Sequence, residues 1–288
     1  MDNVKIGVSL VNYHNDVETI AIAKKYLNIP IVSKVVIVNN DWEETDASLM
    51  RSIDDNRVKI FNEEKNLGYS KGNNIALKYL IEDQKCDYVI ISNSDVDFED
   101  EVIQKLVKKF EDDRNYAALA PKMVQSDGTI LPLRYIDMGA KRIVLRVVIP
   151  GLDAKYEKYL KAENGIYNQS FLPGSFFMVN GIAMRRCGYF DPNVFLYREE
   201  EILGQRLMRK GDKLGVVDGL TYIHNHRYSK QTFRQVLAMQ KYSMKSERYF
   251  FRKYLKYKGL MMIHVYIWQL LFICRELCKA AIKKTLNR

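Results

Sequence analysis

Residues 87–97 read Asp-Tyr-Val-Ile-Ile-Ser-Asn-Ser-Asp-Val-Asp. The first six, Asp87–Ser92, are a short apolar run rich in β-branched side chains, the pattern of a strand buried on both faces. The run empties into Asn93, Asp95 and Asp97, an amide and two carboxylates within five residues. Hard oxygen ligands of this kind suit Mg²⁺ or Mn²⁺ and the diphosphate that travels with such ions. They equally suit capping of a helix that begins near Asp100, and spacing alone leaves both uses open.

Working outward, the same pattern recurs. Val4–Val11, Lys34–Val38, Arg57–Phe61 and Tyr116–Ala120 read as further strands. Asp16–Tyr26, with Asn15 or Asp16 as cap, Gly72–Ile81 and Asp100–Phe110 have helical spacing; in the last, Val102, Ile103, Leu106, Val107 and Phe110 form one apolar face. Strands alternating with helices over about 120 residues predict an α/β fold, a mostly parallel sheet with helices on both faces. Ligands of such sheets bind beyond the carboxyl ends of the strands, so the residues just after Val11, Val38, Phe61 and Ser92 are the ones that matter. Residues 121–172 are less regular, broken by Pro121, Pro132 and Pro150, and compact patterning resumes at Phe171.

Three other clusters carry chemistry. Asn66–Asn74 (NLGYSKGNN) follows the third strand; its glycines permit close backbone approach and a helix N-terminus follows, though a plain capped loop has the same composition. Glu199, Glu200 and Glu201 stand together after aromatic-rich Asn193–Tyr197, where adjacent like charges are costly unless solvated, paired or employed. His224 and His226 flank Asn225 beyond a strand at Leu214–Val217 and a turn at Asp218–Gly219; such a pair binds metal or phosphate, or is structural.

Composition sets the class. The chain has 288 residues, 47% hydrophobic and 28% charged, which excludes a disordered, collagenous or low-complexity protein. Four cysteines (Cys86, Cys187, Cys274, Cys278) are too few for a disulfide scaffold, and the opening MDNVKIGVSLVNYHND lacks the pattern of a signal peptide. Together they predict a cytoplasmic protein. The net charge of +10 is unevenly placed. Residues 227–288 hold 15 Lys and Arg against 2 Asp and Glu, a net of +13, leaving 30 against 33 in residues 1–226, a net of −3. The expected organisation is therefore a catalytic domain over 1–226 and a basic, aromatic-rich helical region over 227–288. Within the latter, Arg248–Lys258 interleaves Tyr and Phe with Lys and Arg, and Leu260–Cys274 is fifteen residues without formal charge. That is short of the ~20 needed to span hydrocarbon. It predicts a segment peripheral on an anionic membrane surface, at the inner face of the cell membrane. Packing on the catalytic domain or homodimerisation is the alternative use of such a run. A slightly acidic body argues against nucleic acid as a partner.

Taken in order, these segments resemble family 2 glycosyltransferases, particularly the bacterial rhamnosyltransferase-like group, over about residues 4–230. Val8–Asn12 with Tyr13 is similar to the family's first strand and nucleotide-contacting turn. Val36–Asn40 is similar to its second, with Asn39 in place of the usual Asp. Asn66–Asn74 matches Asn-x-Gly-(Phe/Tyr)-x-x-Gly-Asn-Asn, with Lys71 where a small residue is common. Asn93–Asp97 resembles the divalent-metal motif, Gly174–Asp191 the Gly-(Ser/Ala)…Gly-x-Phe-Asp segment, and Phe195–Arg206 the motif Phe-x-Tyr-x-Glu-Asp-x-Asp-Leu-x-x-Arg, with Glu200 and Ile202 replacing its two Asp residues.

The resemblance implies a GT-A fold and inverting transfer from a UDP- or dTDP-linked sugar to a glycan or lipid-linked acceptor in bacterial surface polysaccharide synthesis, with Mg²⁺ or Mn²⁺ as cofactor. It implies Glu200 as catalytic base. Asp95, Asp97 and His224 become metal ligands, and Asn12, Tyr13, Asn39, Asn66, Gly68, Lys71, Asn73, Asn93 and Asp95 donor contacts. Gly174, Ser175 and Glu199 lie along the acceptor channel. Glu199 and Glu201 would raise the pKa of Glu200 by like-charge repulsion. A nucleotidyltransferase would instead carry a Gly-rich, basic signature directly after the first strand, where this chain has Asn12–Asp16.

Overall fold

A computed structural model of the chain describes residues 4–41, 43, 45–130, 134–135, 158–159, 161–225 and 233–286. Pro132, Pro150, His226 and the expected boundary at 226/227 lie outside the described residues, as does the side chain of Cys278. The chain divides into two compact units, one comprising Met1–Tyr135, Tyr159–Phe195 and Glu199–Arg227, the other Ile136–Lys158, Leu196–Arg198 and Tyr228–Arg288.

The first unit is built on a nine-stranded sheet. Its strands are β1 (Ile6–Asn12), β2 (Val32–Asn40), β3 (Val58–Glu63), β4 (Tyr88–Ser92), β5 (Val96–Asp97), β6 (Tyr116–Gln125), β7 (Ile166–Gln169), β8 (Phe176–Asn180) and β9 (Lys213–His224). The order is β3-β2-β1-β4-β8-β6-β9-β5, with β7 beside β9. The β3-β2-β1-β4 half is parallel throughout, as the sequence predicts. Beyond it β8 inserts antiparallel between β4 and β6, β6 and β9 run parallel, and β5 and β7 pair antiparallel with β9. The sheet is therefore mixed overall.

Alternation along the strands sorts side chains into two layers. In β2, Val35 and Ile37 enter one core and Val36 and Val38 the other; in β4, Tyr88 and Ile90 part from Val89 and Ile91 in the same way. A strand buried on both faces has no polar side to spare, which is why these runs read as continuous apolar stretches. The first core is closed by helices α1 (Asp16–Leu27) and α3 (Glu101–Asp112), which supply Ile20, Ala23 and Tyr26, and Val102, Ile103, Leu106, Val107 and Phe110. The second is closed by α2 (Tyr69–Lys78), α4 (Gly181–Cys187) and α5 (Glu199–Met208). Helices thus cover both faces, as expected.

Two local expectations change. Asn15 precedes α1 but its side chain makes no cap hydrogen bond; its amide donates instead to Ser94 Oγ at 3.1 Å. Asp218–Gly219 is not a turn ending a strand. β9 runs on through it with a register shift between Val217 and Thr221, and Gly219 takes φ 74°. That unbroken strand carries His224 to its end.

In the second unit, helices α6 (Phe233–Lys253) and α7 (Leu260–Leu286) flank a loop in which Lys256 and Gly259 have positive φ. Phe250, Phe251, Tyr254, Tyr257, Met262 and Val265 are buried, with Phe251 stacked on Tyr257 at 5.2 Å. A polar network crosses it. Ser246 Oγ donates to Leu196 O at 2.7 Å, and Arg198 pairs with Glu247 at 2.9 Å. Buried Gln269 donates to Glu247 Oε2 and accepts from Arg248. No helix among the described residues is long and apolar enough to cross a membrane.

Candidate active site

The sheet's carboxyl ends gather most of the singled-out residues of the first unit. Asn12, Asn39 and Asn62 sit in register on β1, β2 and β3. Asn12 Nδ2 donates to Asn39 Oδ1 at 3.1 Å, and Asn39 Nδ2 to Asn62 Oδ1 at 2.8 Å. Asn12 also accepts from Thr19 and donates to Asp16. Asn12 and Asn39 are fully buried, so this amide ladder braces the strand ends and only its outer member, Asn62, is exposed. Tyr13, the next residue after β1, is 48% exposed and meets His14 edge-on.

The Gly-rich loop is a bracket of the same kind. Asn66 Oδ1 accepts from Asn40 Nδ2 and Gly68 N. Asn73, buried, accepts from Ser9 Oγ and donates to Tyr69 O. Gly68 has φ 80°, and a Cβ there would lie 2.2 Å from Phe195 O, so only glycine lets the two segments touch. Lys71 is exposed in the first turn of α2.

The acidic clusters meet around β8 and β9. Asn93 N donates to Ser175 O at 2.8 Å, and Ser175 Oγ shares a 2.7 Å hydrogen bond with Tyr222 Oη. His224 Nε2 lies 3.2 Å from Asp95 Oδ1, and Asn225 N donates to Asp95 O. The Glu200 carboxyl packs on Gly174: a Cβ added there would be 2.6 Å from Glu200 Oε1. Tyr69 Oη donates to Gly174 O at 2.6 Å. Burial raises both phenols, Tyr69 further by the charges of Glu200 and Glu199, Tyr222 by those of Asp95 and Glu200. One buried phenol, Tyr222, therefore feels both acidic clusters.

Neither tyrosine stands among the site residues expected from sequence. Tyr222 had a signal, since it shares a strand face with His224 at period two, and Tyr69 sits inside the Gly-rich motif.

Asp97 behaves differently from Asp95. Its carboxylate is engaged by Lys25 of α1 at 2.5 Å, which holds it below the usual carboxylate range. Among the described residues no three His, Cys, Asp or Glu side chains form a ready metal cage, so Asp97 does not complete a triad with Asp95 and His224. The Asp95–His224 pair still fits a divalent cation, because such ions take one or two protein ligands and complete their shell with substrate phosphates and water.

The glutamate trio differs from expectation in where the proton sits. Glu199 is buried and its Oε2 has no hydrogen-bond partner among the described residues. Burial first, then the charge of Glu200, pushes its pKa up to about 9. The cost of adjacent carboxylates thus falls on Glu199, which is neutral at pH 7. An unfolded Glu titrates near 4.3, so the fold is destabilised as pH rises from there toward 9. Glu199→Gln, neutral and of the same size, removes this slope. Its melting temperature at pH 8 should exceed the wild type's while the two converge at pH 4, the stability difference reaching at most about 4 kcal/mol by pH 7. Parallel melting curves at both pH values would contradict the buried neutral acid.

The family profile for glycosyl transferase family 2 matches residues 18–191, more than half of the chain. The chain belongs to this family. The match ends before Glu199–Glu201 and His224 and begins after Asn12, so those positions rest on their geometry. A hexosyltransferase of low-salt glycan biosynthesis, Agl10 of Haloferax volcanii, is 22% identical over 229 residues, 79% of this chain and 69% of the relative. Among solved structures, GalNAc-T7 with UDP, GalNAc and Mn²⁺ superposes with TM-score 0.57 at 15% identity, over 86% of this chain; the chain spans about half, 47%, of that protein. A mannosyltransferase of Pyrobaculum calidifontis with GDP-Man and Mn²⁺ gives 0.55 at 14% identity, over 96% of this chain and 75% of that one. S. aureus TarS 1-349 gives 0.52 at 14% identity, over 87% and 73%. These likenesses show the GT-A fold of the family 2 glycosyltransferases.

Proposed function

We propose that this family 2 glycosyltransferase is an inverting hexosyl- or deoxyhexosyltransferase. It takes its sugar from a UDP- or dTDP-linked donor and serves bacterial surface polysaccharide synthesis, acting on a glycan or lipid-linked acceptor. The observation that carries this is the Glu200 carboxyl cradled on Gly174, within electrostatic reach of the same phenol, Tyr222, as Asp95.

Each residue then has a task. Tyr13, Asn62 and Lys71 offer exposed groups for the nucleotide and its phosphates, braced by the buried Asn12–Asn39 ladder and by Asn66, Gly68 and Asn73. Asp95 and His224 would hold Mg²⁺ or Mn²⁺, which when bound supplies charge neutralisation for the departing nucleoside diphosphate. Glu200 accepts the proton of an acceptor hydroxyl. That oxygen bonds to the anomeric carbon as the bond from carbon to the diphosphate oxygen breaks on the opposite face, and the configuration inverts. Glu199, neutral and with one oxygen unengaged among the described residues, would hydrogen-bond the acceptor. The basic second unit would hold the enzyme, as a peripheral protein, on an anionic membrane surface at the inner face of the cell membrane.

A thermal shift tests donor binding. UDP or dTDP with Mn²⁺ should raise the melting temperature of the wild type, and the rise should shrink in Asp95→Asn. No metal-dependent shift with any nucleoside diphosphate would overturn the proposal.

A further inference from the structure

Helix α7 carries apolar side chains on two opposite faces. Met262, Val265 and Gln269 are buried, at spacings of three and four, and mark the face turned into the second unit. On the other side Leu260, Ile263, Ile267, Leu270 and Leu271 are at least half exposed, Leu260 at 74%. At 100° per residue they cover one stripe opposite the buried face. These five are a large share of the exposed large hydrophobic residues among those described. Scattered apolar residues on a surface need no explanation, but a contiguous uncharged stripe does.

What covers it is decided by charge and length. The stripe from Leu260 to Leu271 is about 17 Å long, too short to span hydrocarbon. Arg252, Lys253, Lys256 and Lys258 before it, and Arg275 after it, are exposed. A second copy of the chain would bring a +13 region against another +13 region, whereas an anionic surface turns that charge into attraction, worth about 1 kcal/mol per Lys or Arg near the surface. Tyr266, half exposed beside the stripe with Arg248 and Arg252 over its ring, has the amphipathic character of headgroup-level aromatics.

We infer that the outward face of α7 (Leu260, Ile263, Ile267, Leu270, Leu271) beds in the headgroup–acyl boundary of an anionic bilayer, with the helix lying in the plane of the surface. The inference deepens the membrane-surface part of the proposed function and rests on it.

Flotation of the full chain with vesicles of phosphatidylcholine, with or without phosphatidylglycerol, tests it. Wild-type protein should float with the anionic vesicles only, and added salt should weaken binding. Leu270→Glu/Leu271→Glu changes two exposed positions, so the fold should persist. It should lower the bound fraction at least about tenfold while nucleoside diphosphate release with a soluble acceptor is unchanged. Equal flotation with neutral vesicles, undiminished binding of the variant, or a dimer in sedimentation that the variant dissolves without vesicle binding would each overturn the inference. Binding as expected in a chain that releases no nucleoside diphosphate would instead overturn the catalytic proposal alone.

Discussion

Glu200→Gln should lower the rate of sugar transfer by about 10²–10⁴-fold, the range for loss of a positioned general base, while nucleoside diphosphate affinity stays within about twofold. The amide keeps the size of the carboxyl that packs on Gly174 and loses the capacity to accept the acceptor's proton. Glu199 cannot substitute, because burial keeps it neutral with a pKa of about 9. The measurement is kcat with saturating donor beside a direct titration of nucleoside diphosphate. A variant with wild-type kcat would move the base elsewhere; a variant that loses kcat and nucleotide binding together would make Glu200 a binding residue.

Gly174→Ala should be nearly as damaging without unfolding the protein. The new methyl would stand 2.6 Å from Glu200 Oε1 and 3.2 Å from its Cδ. The obstructed atoms are the far end of a flexible side chain, so the carboxyl swings aside and the fold is spared. A displacement of about 1 Å at a reacting group costs on the order of 10²-fold in kcat. The expected signature is a melting temperature within a few degrees of wild type, unchanged donor affinity and a kcat lowered to that extent. Wild-type kcat in this variant would show that the Gly174–Glu200 contact does not position the base. Tyr69 supports the same contact from behind through its hydrogen bond to Gly174 O.

Part of the fold and of the candidate site is legible in the sequence. The five apolar positions of α3 are the five buried ones, because a helix packed on one face of a sheet buries a single stripe at the helical period. The parallel strands from β1 to β4 follow from runs that have no polar side. Asn93, Asp95, Glu200 and His224 stand in polar clusters at strand and helix ends, whereas Gly174 and Ser175 are marked only by the family resemblance; the fold sets Asp95 beside His224 and Glu200 against Gly174.

What escaped the sequence is long-range. The insertion of β8 beside β4 pairs residues 84 to 92 positions apart, and no local period encodes that choice. Asp97 looks equivalent to Asp95 in its motif, but Lys25, 72 residues earlier, claims it. The amides of Asn12 and Asn39 read as ligand contacts, and the strand register turns them toward each other instead. The proton on Glu199 follows from unequal burial of neighbouring glutamates, which an acidic triplet does not reveal. Asp218–Gly219 reads as a turn because its composition is that of one, while the neighbouring β6 holds both halves of β9 in a single ladder.

The most direct test is to incubate the protein with UDP-, dTDP- and GDP-linked sugars and Mn²⁺ and to measure the nucleoside diphosphate released. Metal-dependent release from a UDP- or dTDP-sugar, lost in Glu200→Gln, is the predicted result. No release from any of these donors, or release that Glu200→Gln leaves untouched, would contradict it.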